Sequence, residues 1–392
     1  MTGGRELVTH LTLLAALLFA TSTGADEPGQ VRRPFGPGRC GPIDQAYVRT
    51  STETGGQPFP LAPSEVAQMG VFIAESSRSD SALILWAGGT AADARDGFVI
   101  PINGDVKRLM FAVTFDGTGG SAQIVTPNGT VVQAGTGPGD TVLNCGRILS
   151  VEAPEAGQWR VTPAPSARFW MAVRGRSDRD VLTARFVRPG GRPGHEGLFP
   201  INGSPIAGRP ATLRIALSEP DARLPEFELF SAQGRSIQRI ALERVGDDEF
   251  VGEIALPAVP FRVGVRGTDA DGGRYQRMTG RMFHAETVEV VAPALDEITG
   301  GADRPLAFVL RNHGESGRYR VTATVGGEVL TRVEPPVVDL AATSDQRVTV
   351  WLPASTIAAG RTSLELLVVA SSEDPNRPSM NSAILRLAVL QR

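Results

Sequence analysis

The sequence predicts an all-β chain of tandem β-sandwich domains with a short α-helical segment near its N-terminus. Glycine and proline account for 45 and 29 of the 392 residues and are scattered as single breakers and turn pairs, which indicates many short strands. From Phe98 onward, β-branched and aromatic runs follow one another at a sandwich-like density of about seven in about 90 residues. These runs are not separated by the helical stretches of about ten to fifteen residues that a parallel α/β sheet requires.

The chain begins with a predicted secretory signal peptide, residues 1–25. Arg5 precedes a ten-residue apolar run at 11–20, and Thr23-Gly24-Ala25 supplies a cleavage site of the small-x-small kind. The alternative is a membrane anchor, but a spanning helix needs about 20 apolar residues. No later stretch is long enough to span. We therefore expect a mature protein that is secreted or periplasmic and has no transmembrane segment.

Residues 26–42 are rich in proline, glycine and arginine, a composition typical of an extended linker. Cys40 lies near the end of this linker, and the only other cysteine is Cys145. An even number of cysteines in an oxidising compartment favours a Cys40–Cys145 disulfide, which would tie the N-terminal segment to the first large domain. Two separate buried thiols are the alternative, since a disulfide requires Cα atoms within about 7 Å of each other.

The segment 43–90 is predicted to contain one helix followed by a strand. Ser64 can cap the helix, and Glu65 lies in its positively polarised first turn. Four apolar residues recur at helical spacing and would share the buried face, namely Val66, Met69, Phe72 and Ile73. The apolar run 83–86 that follows is typical of a buried strand.

The first sandwich is predicted over residues 91–188. Turns such as Asp116-Gly117 and Asn128-Gly129 separate its β-branched and aromatic runs. The predicted strands are residues 98–102, 109–115, 122–126, 141–151, 158–162, 169–173 and 182–187. The proline- and glycine-rich stretch 188–197 then predicts a linker to the next domain.

Two further sandwiches are predicted, over residues 198–290 and 291–392. The second has predicted strands at 211–217, 226–230, 237–242, 250–256 and 261–268, followed by a turn at 269–273. The third has predicted strands at 306–311, 319–325, 347–352, 362–370 and 383–390. Each unit is long enough to bury its own core.

Short motifs between residues 45 and 290 are similar to units of known domains. The stretch 46–85 contains Tyr47, Thr54-Gly55-Gly56-Gln57 and Ser64-Glu65-Val66, and it is similar to the last strand and helix of a von Willebrand factor A domain. Pro127-Asn128-Gly129 and the run 154–159 resemble parts of a galactose-binding-like β-sandwich. The motifs at 261–263, 267–269 and 275–277 are similar to an Ig-like unit.

In this order, the units resemble those of hemicentin-like proteins. The resemblance implies an extracellular protein for adhesion or protein interaction. It also implies that the domain at 91–188 is galactose-binding-like and that the domain at 198–290 is Ig-like. We expect the C-terminal sandwich at 291–392 to be Ig-like as well.

The metal site of a von Willebrand A domain is not predicted in this chain. Such domains bind a divalent cation through Asp-x-Ser-x-Ser, whose oxygens converge on one hard ion. The stretch 77–81 has the serine hydroxyls but no leading aspartate. We therefore expect the segment 43–90 to pack as an accessory to the first sandwich, without metal-dependent adhesion.

Asp269 and Asp271 are the candidate metal ligands of the chain. Asp269-x-Asp271-Gly272 is similar to the start of a calcium loop, but Met278 stands where an EF-hand has its glutamate. Aspartate and glycine also favour tight turns. A turn is therefore the simpler interpretation, calcium binding is the alternative, and no other cofactor is predicted.

No catalytic residue is predicted. The stretch 314–318 misses the serine-hydrolase motif G-x-S-x-G at its last position, and no orienting acid is evident for the neighbouring His313. Asp247-Asp248-Glu249 is typical of a solvated turn. Carboxylates that meet only in the folded chain leave a secreted hydrolase with a noncontiguous site as an alternative function.

The tryptophans bear on a second alternative, a carbohydrate-binding module. An exposed indole can stack on a sugar, whereas an indole within an apolar or alternating strand run more often fills a core. We expect core positions for all four, which are Trp86, Trp159, Trp170 and Trp351.

Charge patterning argues against nucleic acid as a partner. The formal net charge is −3, and Lys107 is the only lysine. Arginines and acids alternate along the chain, unlike the one-sided positive surface of a nucleic-acid-binding protein. The sequence therefore predicts a non-enzymatic, extracellular adhesion or interaction protein whose partner is an extracellular protein or a glycan.

Overall fold

The computed structural model shows three consecutive β-sandwiches, preceded by a helical segment that packs on the first. It describes residue 40 and residues 43–135, 139–218, 225–300, 302–358, 362–374 and 377–390. The predicted signal peptide and nearly all of the predicted linker 26–42 lie outside the described residues. The prediction of a tandem all-β fold is confirmed. Within the described ranges, no helix combines the length and the apolar character needed to cross a membrane.

The helical segment contains more helix than predicted. Its elements are α1 (Gln45–Glu53), a 3-10 helix (Pro63–Gln68) and α2 (Met69–Ser76). Asp44 caps α1, because its Oδ1 accepts a hydrogen bond of 2.7 Å from the Ala46 N–H. The stretch around Tyr47 is therefore a helix, and the strand that the von Willebrand A resemblance implied there is wrong.

The predicted Ser64 cap is also wrong. Pro63 opens the 3-10 helix, a position that suits proline because the first N–H groups of a helix have no intrahelical partner. Met69 is buried, but Val66 and Ile73 are 58% and 57% exposed. A 3-10 helix turns once in three residues, so Val66 does not align with the buried face of α2.

The first sandwich packs a five-stranded sheet, in the order β1-β8-β3-β6-β5, on a three-stranded sheet, β2-β7-β4. Its elements are β1 (Ser81–Thr90), α3 (Ala91–Ala94), β2 (Phe98–Ile102), β3 (Arg108–Asp116), β4 (Ser121–Val125), β5 (Asp140–Leu143), β6 (Gly146–Glu152), β7 (Gly157–Ala164) and β8 (Arg168–Arg176). The strand predicted at 83–86 is thus part of β1 and pairs with β8 inside this sandwich. The sandwich begins at Ser81, earlier than the expected residue 91.

The second sandwich packs sheet β10-β9-β11-β15-β14 on sheet β13-β12-β16-β17. Its strands are β9 (Val181–Gly190), β10 (Gly197–Pro200), β11 (Ala211–Leu217), β12 (Glu226–Ser231), β13 (Ser236–Ile240), β14 (Glu243–Arg244), β15 (Glu249–Ile254), β16 (Phe261–Thr268) and β17 (Arg274–Met278). The strand predicted at 182–187 as the last of the first sandwich lies in β9, which pairs with β10 and β11. The stretch 188–197 is a hairpin and not a linker. Gly191 turns it with a φ of +105°, a conformation that favours glycine.

The third sandwich packs sheet β18-β20-β25-β23 on sheet β19-β27-β26-β21-β22, and β24 pairs with β21. Its elements are β18 (Val288–Val291), β19 (Glu297–Thr299), β20 (Arg304–Asn312), β21 (Gly317–Val325), β22 (Glu328–Val329), β23 (Val333–Glu334), β24 (Val337–Leu340), β25 (Asp345–Leu352), α4 (Ala354–Ala358), β26 (Ser363–Ser372) and β27 (Met380–Leu390). Buried and less buried residues alternate along β20, β21 and β27. This alternation places the core between the two sheets.

Arg277, on β17, joins the second sandwich to the first. Its side chain has no exposed surface, and burial lowers its pKa while Asp105 opposes that shift. We call the boundary between the first and second sandwiches the first seam. Across it, the guanidinium donates hydrogen bonds to Ser177 Oγ (2.8 Å), Arg179 O (2.9 Å), Asn103 Oδ1 (3.2 Å) and Asp105 Oδ1 (3.3 Å). A buried charge is tolerated when its donors are paired in this way.

Arg262, on β16, joins the helical segment to the same seam. Its guanidinium lies 4.6 Å from the Trp86 ring and donates to Gly280 O and, at 2.6 Å, to Thr52 O at the end of α1. Burial, together with the nearby Arg174, lowers the pKa of Arg262 to about 9. One guanidinium thus contacts all three parts, the helical segment, the first sandwich and the second.

The helical segment is fixed at its other end as well. Cys40 and Cys145 form a disulfide, with Cα atoms 5.6 Å apart. Beside it, the buried Glu65 accepts a hydrogen bond of 2.6 Å from the Asn144 N–H and another of 2.7 Å from the Ala62 N–H. The segment is therefore clamped to the turn between β5 and β6.

Replacing Arg277 tests how much the first seam depends on it. Arg277→Ala leaves buried acceptors such as Asn103 Oδ1 without a donor, and we expect it to lower the free energy of unfolding by about 3–5 kcal/mol. Urea unfolding followed by tryptophan fluorescence measures this loss. The control is Arg192→Ala at the exposed tip of the β9–β10 hairpin, where we expect a change within about 0.5 kcal/mol. Equal stability of the two variants would contradict a bridging role for Arg277.

The raised pKa of Asp180, next to the first seam, predicts that the stability of the protein depends on pH. Burial raises the pKa of its carboxyl from 3.8 to about 6, opposed by the Val181 N–H, Arg277 and Arg174. Because the folded pKa is raised, the folded protein favours the protonated carboxyl. The contribution of the protonated Asp180 carboxyl to the free energy of unfolding is present in full below about pH 4 and is lost as pH rises through about 6.

Asp180→Asn removes this titration but keeps an Oδ1 acceptor for the Val181 N–H. We expect the variant to gain stability relative to the parent between about pH 4 and 7, measured by urea unfolding at half-unit pH steps. Asp178→Asn is the control, because Asp178 is exposed and pairs with Lys107 at the surface. A pH-independent difference between parent and Asp180→Asn would show that Asp180 does not titrate in this range.

Candidate functional site

A cleft of about 1160 Å³ lies between the second and third sandwiches. One wall comes from β9, β10 and the loop that leads into β11. The other wall comes from β18, the segment 292–296 and β27. Residues far apart in the sequence therefore face one concavity, and its shape depends on how these two sandwiches are joined.

Asn381, at the start of β27, holds the joint. It is 4% exposed and uses its whole amide. Its Oδ1 accepts from the Ser204 and Ser382 N–H groups, both at 2.8 Å, and its Nδ2 donates to Val288 O at 2.8 Å and Ser204 O at 3.2 Å. Gly203 approaches so closely, with a φ of +76°, that a Cβ there would overlap Asn381 Oδ1 and Ser382 O.

Glu286 adds a second set of bonds at the same joint. Its backbone pairs with the segment before β11, accepting from the Ala207 N–H and donating to Pro205 O, both at 2.9 Å. Its Oε2 accepts from Ser379 Oγ at 2.8 Å. Backbone and side-chain bonds together fix the second sandwich against the third, and these two sandwiches supply the walls of the cleft.

The cleft carries more available positive than negative charge. Arg185, Arg188 and Arg209 line it, are exposed and have no ion-pair or hydrogen-bond partner for their guanidinium groups among the described residues. Of its two acids, Glu289 is already engaged by Arg311 at 3.4 Å and His313 at 2.8 Å. The other acid is Asp296. The fourth arginine, Arg386, pairs with Glu365 outside the cleft lining.

Phe199 is the most exposed large apolar side chain in the lining of the cleft. This ring is 45% exposed and lies directly across the β9–β10 pair from Arg188. Leu295, on the opposite wall, is 36% exposed. An exposed aromatic ring beside unpaired guanidinium groups gives the cleft both stacking and charged hydrogen-bonding capacity.

The predicted metal ligands lie elsewhere, in the turn between β16 and β17. Asp269 Oδ1 accepts from the Gly273 N–H at 2.7 Å and from the Asp271 N–H at 3.1 Å. Its Oδ2 accepts from Asn103 Nδ2 at 3.0 Å, across the first seam. Asp271 is exposed. The described residues contain no group of three or more His, Cys, Asp or Glu side chains that could hold a metal ion.

The other chemical candidates are likewise engaged in local contacts. His313 bonds to Glu289, while Ser316 lies exposed in the turn before β21. In the turn 247–249, Asp247 and Asp248 are exposed, and Glu249 pairs with Arg214. No serine–histidine side-chain hydrogen bond is present among the described residues.

Three of the four tryptophans are core residues, as expected, and Trp351 is not. Trp86, Trp159 and Trp170 are 1–2% exposed in the first core. Trp351 is half-buried on the outer face of β25, with the Arg332 guanidinium 3.7 Å from its ring and its Nε1 donating to Glu334 at 3.2 Å. Arg332 therefore already stacks on this indole.

Sequence reasoning missed the cleft residues altogether. In the sequence, Arg185 lies in a predicted strand and Phe199 follows a predicted linker, and Arg209 belongs to no motif. Arginine is so common and so evenly spread in this chain that its positions carry little information. A usable signal was the single phenylalanine within the proline-rich stretch 189–210.

Comparisons with known proteins give distant relationships only. No family model matches the chain. Mouse hemicentin-1 is 24% identical over 249 residues, covering 61% of this chain and 4% of the mouse protein. Human hemicentin-1 is 23% identical over 267 residues, covering 66% of this chain and 5% of the human protein. These alignments support a distant relationship with hemicentin-1 and do not establish membership of its family.

A structural comparison is weaker still. The crystal structure of a DUF4785 family protein from Legionella pneumophila aligns with 79% of this chain and 91% of that chain, at 9% sequence identity and a TM-score of 0.38. A TM-score at this level does not establish a shared fold.

Replacing Asn381 tests the joint that shapes the cleft. Asn381→Ala removes four hydrogen bonds and leaves the Ser204 N–H and Val288 O unpaired, so we expect a loss of about 2–4 kcal/mol in the free energy of unfolding. Faster amide hydrogen exchange at Ser204 should accompany it. Asn202→Ala is the control, since Asn202 is exposed and makes one bond across the joint, to Ile384 O. If Ser204 exchange is unchanged in Asn381→Ala, Asn381 does not hold the joint.

Proposed function

We propose that this chain is an exported, non-enzymatic β-sandwich protein that serves adhesion or surface interaction by binding an extracellular protein or glycan in the cleft between its second and third sandwiches. The observation that carries the proposal is the cleft itself, whose lining includes the unpaired Arg185, Arg188 and Arg209 and the exposed Phe199. The distant relationship with hemicentin-1 and the predicted signal peptide support an extracellular place of action.

Rigidity makes the cleft suitable for binding. Arg262 and Arg277 fix the helical segment and the first two sandwiches to one another. Asn381 and Glu286 then fix the third sandwich to the second. A cleft whose walls are already positioned loses little conformational entropy when it binds, which favours affinity.

A variant that fills the cleft tests this function. Ala294 is exposed on the wall of the cleft, and Ala294→Trp would occupy the space that a ligand needs. The chain from residue 26 onward is screened on a glycan array and on immobilised extracellular proteins, with a hydrolase panel alongside. We expect saturable binding that Ala294→Trp weakens by about tenfold or more, equivalent to about 1.4 kcal/mol.

Ala241→Trp is the matched control, because it places the same bulk on an exposed position of the second sandwich away from the cleft. Both variants are checked for unchanged thermal unfolding. Binding that resists Ala294→Trp would contradict the cleft as the binding site. Turnover of a substrate on the hydrolase panel would contradict the non-enzymatic assignment.

A further inference from the structure

We infer that the ligand of this cleft is an acidic glycan, a sugar chain that carries carboxylate or sulfate groups. The inference rests on the proposed function and narrows its ligand to one chemical class. Three features of the cleft lead to it, namely its unpaired charges, the placement of its aromatic ring and its shape.

The unpaired positive charges of the cleft favour an anionic ligand. Elsewhere in the chain, many arginines pair with acids across strands, as Arg147 does with Asp140 at 2.8 Å and Arg318 does with Glu373 at 3.0 Å. Arg185, Arg188 and Arg209 have no such partner within the described residues, although the chain as a whole carries a net charge of −3. Guanidinium groups bind carboxylates and sulfates through paired N–H donors, so these three suit an anionic ligand.

The aromatic ring points to a sugar as the carrier of the anions. Phe199 and Arg188 are directly opposed on β10 and β9, a position in which side chains lie about 5 Å apart at their Cβ atoms. A ligand that reaches both must present an apolar face and an acidic group within one small unit. A pyranose ring that bears a carboxylate or sulfate satisfies both requirements.

The shape favours an oligosaccharide over an acidic protein surface. Clefts that bury small ligands have volumes of about 300–1000 Å³, and this one, at about 1160 Å³, is slightly larger and has room for several sugar units. A stable protein partner would instead need a contact area of about 800 Å² on each side. Arginines along β9 and before β11 are distributed along the cleft, as a chain with repeated acidic groups requires.

The experiment uses four probes on the chain from residue 26 onward. Hexagalacturonate and a chondroitin sulfate hexasaccharide are the acidic glycans, maltohexaose is the neutral glycan and hexaglutamate is the acidic peptide. Binding is measured by isothermal titration calorimetry at two salt concentrations. We expect binding of at least one acidic glycan, weaker at high salt because the charges lie at the surface, and at least about tenfold weaker binding of maltohexaose and hexaglutamate.

The variants assign that binding to the cleft. The triple variant Arg185→Gln, Arg188→Gln, Arg209→Gln should weaken acidic-glycan binding by about tenfold or more, and Phe199→Ala should weaken it independently of salt. Arg192→Gln removes one positive charge at the exposed hairpin tip, outside the cleft lining, and should bind within about twofold of the parent. Thermal unfolding establishes that each variant is folded.

The outcomes separate this inference from the function on which it rests. Hexaglutamate bound as tightly as the acidic glycans would overturn the choice of a glycan. Equal binding of maltohexaose, or no acidic glycan bound while Ala294→Trp still abolishes binding to an array ligand, would overturn the acidic class and leave the cleft function standing. Acidic-glycan binding that is unaffected by the triple variant would place the ligand outside the cleft.

Discussion

Two buried guanidinium groups determine how the parts of this protein are assembled. Arg277 and Arg262 have no exposed surface, yet each donates a hydrogen bond to an acceptor in a neighbouring part of the chain, Ser177 Oγ for Arg277 and Thr52 O for Arg262. Burying such a charge is costly unless hydrogen bonds compensate it, so partial separation of the parts leaves donors and acceptors unpaired. Apolar contact alone would tolerate sliding. The arginines instead specify one arrangement of helical segment, first sandwich and second sandwich.

The cleft depends on this arrangement through one further joint. With the first two sandwiches fixed, the position of the third relative to them is set by Asn381 and Glu286 at the start of β27 and before β18. The amide of Asn381 makes four hydrogen bonds, and these are possible because Gly203 has no Cβ to overlap Asn381 Oδ1.

The sequence predicted what depends on local pattern and missed what depends on pairing. Alternation along β16 or β20 is a local property, and these strands formed where they were expected. β9 was recognised as a strand but assigned to the first sandwich, because a run of residues does not reveal its partner strand, which here is chosen by the hairpin at Gly191. Val66 is predicted on the buried helix face by the α-helical period of 3.6 residues per turn. It lies instead in a 3-10 helix with 3.0 residues per turn, which turns its side chain away from that face. The cleft could not be predicted, since Arg185 and Asp296 line the same cleft only after the second and third sandwiches dock.

Ligand binding and the docking of the third sandwich are coupled because the second and third sandwiches supply opposite walls of one cleft. Arg185, Arg188 and Arg209 all lie on the wall from the second sandwich, whereas Leu295 and Asp296 lie on the wall from the third. An anionic ligand that spans the cleft would contact both walls. Because it would bind only where both walls are present, it would stabilise the docked state by mass action. Coupling of this kind is reciprocal. The factor by which the anion shifts the equilibrium toward the docked state equals the factor by which docking raises the affinity for the anion, so loosening the joint at Asn381 would weaken anion binding.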